Sequence, residues 1–249
     1  MFNFLNSSIF LIPGFSTASL HGVMGILTAL MTIIFFVSYK LNDNKVSKKL
    51  SLFFLFFTLY SASVTTSIIA FPGNMQVAGF GIIIGLYFIM LVAMMGFDTP
   101  LFYKHPFFES NAGRMRVIFS MLWGLFSIYG ILFQQLPYVG KGNFMYWNMT
   151  PICGYGLALL CFLAATGFGY LYISNGNYSD TQNTETYLKM RILAIDGILW
   201  SIAGPSYIVG SSFWAISMAF IIMISSFSAT AGIFIYYRFK TSLKKTLLV

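Results

Sequence analysis

Seven long apolar runs, each almost free of charge, follow one another along this chain: 19–39, 51–71, 77–97, 116–136, 151–173, 190–210 and 213–237. A helix needs about 20 apolar residues to cross the hydrocarbon of a bilayer. Inside that hydrocarbon the backbone must satisfy its own hydrogen bonds, so only helices and closed barrels can span it. The runs are continuously apolar rather than alternating, which predicts helices. The expected fold is therefore all-α: a seven-transmembrane-helix bundle in one domain. Residues 1–18 form a short external lead-in, 19–238 the membrane domain and 239–249 a basic tail. The lead-in is apolar, but it lacks a basic start and Pro13 interrupts it, so a signal peptide is not expected.

The charge distribution sets the expected orientation. Only 8% of the residues are charged, against about 25% in soluble domains. Of the fourteen Lys and Arg, only Lys141 falls on one side of the predicted bundle, and the rest fall on the other. Basic loops stay in the cytoplasm, so the expected arrangement is N-terminus out and C-terminus in. The membrane is expected to be a plasma or inner membrane. The net charge of +8 is then the ordinary cytoplasmic bias of a membrane protein, and no nucleic-acid partner is expected. Tyr138, Tyr146 and Trp147 are expected at the outer interface, with Tyr39, Tyr103, Tyr236 and Tyr237 at the inner one.

Few side chains could carry chemistry. An ionisable group within a span is costly and therefore a functional candidate. Asp196 in the sixth span has two readings, a proton-transfer or substrate carboxylate and a helix-end carboxylate sharing hydration with Lys189 or Arg191. Asp98 ends the third span beside Thr99-Pro100, where it caps local backbone or borders a polar path. His21 and His105 lie on opposite faces, so they cannot ligate one haem, and His21 is expected to be an interfacial polar residue. Cys153 and Cys161 are eight residues apart on one run, about 12 Å along a helix, too far for a disulfide. No metal cluster, nucleophile–base pair or phosphate loop is legible, so an enzyme is not expected.

Small residues point to close helix contacts. Gly81 and Gly85 in the third span have this spacing, and the fifth span carries a run of Gly and Ala from Gly154 to Gly169.

The sixth span holds a more specific pattern, Trp200-Ser-Ile-Ala-Gly-Pro205-Ser-Tyr207-Ile-Val-Gly210. It resembles the sixth helix of microbial rhodopsins of the proteorhodopsin type, with Pro205 one place late. Phe35-Phe36-Val37, Asp43, Val46-Ser47 and Lys49 resemble that family's first inner loop. Ser226-Phe227-Ser228-Ala229-Thr230 falls where the family has an aspartate and, four residues on, the lysine that binds retinal. The resemblance implies a ligand pocket walled by Trp200, Pro205, Tyr207, Ser226, Thr230 and Met94, where Met94 or Ile89 stands at the family's carboxylate in the third span. It also marks a loss. Thr230 cannot form the imine that holds the chromophore, so no covalent cofactor and no light-driven pumping are expected. Retinal or a carotenoid could bind only noncovalently.

Three function classes follow. One is a rhodopsin-like protein that binds an apolar ligand or serves as a sensor or partner subunit. Another is a small transporter or channel with Asp196, Asn74, Gln76, Gln134 and Gln135 along a polar path, although no three-helix repeat or proline–glutamine motif supports it. The last is an accessory subunit of a larger membrane complex or homo-oligomer, with the lipid bilayer as its common partner.

Overall fold

In the computed structural model, residues 12–43, 45–97, 106–133, 135–178 and 184–246 are described. Seven helices run through them: α1 (Phe15–Asn42), α2 (Lys45–Ile69), α3 (Met75–Phe97), α4 (Pro106–Leu132), α5 (Pro151–Tyr178), α6 (Thr184–Val209) and α7 (Phe213–Thr246). Each contains a stretch long and apolar enough to cross a membrane. The chain is a seven-helix all-α bundle and a multi-pass membrane protein.

Several helices overrun the apolar runs that announce them. α1 begins at Phe15 rather than 19, and α2 at Lys45 rather than 51. Hydrophobicity marks the part of a helix that meets hydrocarbon, whereas Lys45, Lys48 and Lys49 are compatible with helix in water. Local chemistry sets other starts. The Asn74 side chain accepts from the Val77 amide at 3.1 Å and Ser212 from that of Ala215 at 3.2 Å, so each caps its helix.

The helices form a closed ring. Each packs on the next in the chain, α7 returns to α1, and α3 also meets α5. The α1–α2 seam is laced with hydroxyls: Thr58 donates to Thr28 at 3.0 Å, Ser51 to the Thr32 carbonyl at 3.1 Å and Thr65 to that of Ala18 at 3.2 Å. In a medium as apolar as the side chains themselves, such bonds and close packing hold helices together. At the α2–α3 seam Gly81 and Gly85 face Ser63, Ser67 and Tyr60, and Ser63 donates to the Gly81 carbonyl at 3.2 Å. The glycine spacing thus serves packing inside the bundle. The α5–α6 seam is tighter still. Gly169 meets Gly197 there backbone to backbone, leaving no room for a Cβ on Gly197.

The outward faces are apolar. Ile26, Ile33, Val117, Met121, Leu125 and Ile128 are all exposed, whereas the interior takes up His21, Thr28, Ser61, Asp196, Ser226 and Thr230. Apolar surface of this extent suits lipid.

One element was not anticipated. Between α4 and α5, β1 (Tyr138–Val139) pairs antiparallel with β2 (Met145–Tyr146), Tyr138 opposite Tyr146 and Val139 opposite Met145. The turn places Gly142 (φ 71°) and Asn143 (φ 59°) in the left-handed region, which Gly and Asn tolerate best. Asn143 then ties the hairpin to the start of α1: its Oδ1 accepts from the Gly14 amide at 2.8 Å and its Nδ2 donates to the Ile12 carbonyl at 2.9 Å. The Met145 amide adds a bond to Thr17 at 2.8 Å. Tyr146 and Trp147 are buried at this hairpin end of the bundle, whereas Tyr138 is exposed.

Candidate functional site

The helix ring lines a partly open cavity of about 90 Å³. Six helices supply its wall. Phe53, Phe57 and Tyr60 come from α2, Leu86 and Ile89 from α3, and Trp123 from α4. Cys161 and Phe168 come from α5, Trp200, Gly204 and Tyr207 from α6, and Met223 and Phe227 from α7. The aromatic side chains position one another. The Trp200 ring lies 5.8 Å from Phe53, 5.5 Å from Phe57, 5.8 Å from Phe168 and 5.1 Å from Phe227, centroid to centroid. Such aromatic pairs add attraction beyond their buried area, so this side of the wall is well fixed.

Toward the hairpin end the wall backs onto a buried histidine. His21 of α1 is fully buried, and its Nε2 is 2.7 Å from the Tyr207 hydroxyl. The rings of Tyr60, Tyr207 and Phe220 stand edge-on around it at 5.1, 5.3 and 5.2 Å. This corrects the expectation of an interfacial His21. Its place near the end of a span gave the depth, but only the helix rotation shows that it faces inward.

One turn of α6 below Trp200 lies a second polar cluster. Asp196 is fully buried near the middle of α6. Its Oδ1 accepts from the Ser226 hydroxyl and its Oδ2 from that of Thr230, both on α7. Lys189 instead lies over the rings of Phe234 and Tyr237, and Arg191 over Tyr187. The structure therefore does not place Asp196 in hydrated contact at the helix end. Ser226 and Thr230 are four residues apart, hence on one face of α7, and that face meets the carboxylate.

Of the residues expected to wall a pocket, Trp200 and Tyr207 line this cavity. Ser226 and Thr230 do not line it and are engaged with Asp196. Pro205 is also outside the lining, although its neighbour Gly204 belongs to it. Met94 lies at the α3–α4 seam, where its sulfur accepts from the Ser120 hydroxyl at 3.4 Å, and Ile89 takes the place on the wall. Asp98, Gln134 and His105 lie outside the described residues. The α2 aromatics and Trp123 were not anticipated as site residues. A Phe-rich run such as Phe53–Phe57 reads as generic core until the ring of helices closes around it.

No lysine is among the described residues that line the cavity. Among the described residues no group of three or more His, Cys, Asp or Glu is placed to hold a metal. Cys153 and Cys161 are both free and buried. The wall can offer shape, aromatic contact and a few hydrogen bonds, which suits reversible binding of an apolar molecule. No protein-family model, curated protein or solved structure matches the chain.

Proposed function

We propose that this is a rhodopsin-like seven-helix membrane protein that binds an apolar ligand noncovalently and does not pump ions by light. The observation that carries the proposal is the aromatic cavity within a sequentially closed helix ring, walled by Trp200 and Tyr207 and with no amine among its described lining residues. The sixth-helix resemblance draws on those same two residues. Without an amine, an aldehyde such as retinal cannot be held as an imine, so a ligand is retained by fit and dispersion alone. A role as a sensor or a partner subunit belongs to the same reading. The charge pattern orients it with the lysine-rich ends of the helices in the cytoplasm and the hairpin outside.

The test is the absorption spectrum of the purified protein with added all-trans retinal. Saturable binding that hydroxylamine leaves intact supports the proposal. A band that hydroxylamine bleaches, or no saturable binding, counts against it.

A second reading is favoured by one observation, the Asp196 carboxylate buried inside the sixth span with hydroxyls on both oxygens. Buried carboxylates in spans mark ion or proton paths, which fits a small transporter. Substrate-dependent flux in vesicles that Asp196→Asn abolishes would favour transport; unchanged flux removes Asp196 from any path.

A further inference from the structure

The turn between α1 and α2 gathers positive charge around one tyrosine. Asp43 ends α1 in the left-handed conformation (φ 45°), and α2 begins at Lys45. The Ser38 and Ser47 hydroxyls hydrogen-bond across the turn at 3.2 Å and fix the two helix ends against each other. The Lys40 ammonium then stands 5.8 Å and the Lys48 ammonium 5.6 Å from the centre of the same Tyr39 ring, and Lys40 also lies 5.6 Å over Phe36. A ring face attracts a cation, but it does not neutralise one. Lys40, Lys45 and Lys48 are exposed, and none has an acidic partner among the described residues.

The basic patch continues across this end of the bundle. Phe35 of α1 meets Phe234 of α7 edge-on at 4.7 Å. The Lys189 ammonium of α6 lies 5.3 Å over that same Phe234 and 5.6 Å over Tyr237. α7 runs on to Thr246, past Tyr237 where its membrane-crossing stretch ends, and carries Arg238, Lys240, Lys244 and Lys245 along the way. The membrane-crossing stretch of α1 ends at Leu41 and that of α2 begins at Lys45. Lysine side chains at such ends extend to the level of the lipid headgroups.

The geometry points to a docking surface for anionic phospholipid in the leaflet at the lysine-rich end, with Lys40 and Lys48 as its fixed pair of cations. Basic clusters beside a membrane-spanning helix draw acidic headgroups, and each cation there adds about a fivefold gain in association. The charge bias of cytoplasmic loops requires only a number of basic residues. It does not require two of them to share one ring across a hydrogen-bonded turn. None of these residues lines the cavity, so the inference is independent of what binds there.

The lipid selectivity of the full-length protein in phosphatidylcholine vesicles tests it. Spin-labelled phosphatidylglycerol and spin-labelled phosphatidylcholine are compared by the fraction of each that is immobilised at the protein surface. Phosphatidylglycerol is expected to associate roughly fivefold more strongly, with the preference fading as salt rises. Lys40→Gln/Lys48→Gln should lower the preference several-fold, whereas Lys40→Arg/Lys48→Arg should keep it. Lys141→Gln, at the opposite end, should keep it too. Equal association of the two lipids with the wild type, which needs no variant to fold, overturns the inference. Full preference in the glutamine variant also overturns it, as does an equal loss in the arginine variant, which would show that charge is not what binds. Loss of the preference in inorganic phosphate, at an ionic strength where chloride leaves it intact, would reveal a free-anion site and refute the lipid assignment.

Discussion

Asp196 was visible in the sequence as the clearest ionisable residue within a span, yet its partners were not. Ser226 and Thr230 sit on another helix, and which face of α7 meets α6 follows from packing rather than from spacing alone. The same limit applies to His21, whose depth was readable and whose inward rotation was not. The cluster makes a quantitative prediction. Thr230→Val leaves one carboxylate oxygen of a buried group without its donor and should destabilise the protein by about 1–3 kcal/mol. In an Asp196→Leu background the same change should cost less than about 1 kcal/mol, because no carboxylate is left to satisfy. Thermal denaturation in detergent measures both. Equal costs in the two backgrounds would show that the hydroxyl acts independently of Asp196.

At the scale of elements, the apolar runs gave the number and order of the helices, because membrane spanning demands length and hydrophobicity that little else produces. Their ends were less legible, since helices continue past the hydrocarbon. The small-residue seams were half legible. Gly81, Gly85 and the α5 glycines carried the signal, but the meeting of Gly197 with Gly169 needs the crossing itself. Gly197→Ala would push a Cβ into the Gly169 backbone and should cost about 1–3 kcal/mol as overpacking. Gly124→Ala, where a Cβ meets nothing within 4 Å, should be neutral or stabilising by up to about 1 kcal/mol. A melting curve for each variant separates the two cases. The hairpin escaped notice because strands of two residues are too short to show alternation. Its turn residues Gly142 and Asn143 were the available signal. Asn143→Ala removes two hydrogen bonds and strains a left-handed position, so it should speed amide exchange at Gly14 and loosen the start of α1, read by hydrogen exchange with mass spectrometry.

At the scale of the whole molecule, two buried polar clusters bracket an apolar cavity: His21 with Tyr207 toward the hairpin end, and Asp196 with Ser226 and Thr230 toward the lysine-rich end. The proposed orientation is tested separately from the ligand. In intact cells, a membrane-impermeant thiol reagent should label Lys141→Cys at once and Lys45→Cys only after permeabilisation; the reverse order would invert the topology. Of the cavity wall only Trp200 and Tyr207 were anticipated in the sequence, because the wall is assembled from six helices and most of its residues pass for ordinary core. The most direct test of its role is equilibrium binding of all-trans retinal to the wild type and to Gly204→Phe. A Cβ at Gly204 meets only Cys161, at 3.8 Å, so the seam tolerates it while the ring fills the cavity. Saturable, hydroxylamine-resistant binding by the wild type that is lost in a folded Gly204→Phe protein is the predicted result. Equal binding by both proteins would contradict the account, because it would place the ligand somewhere other than the central cavity.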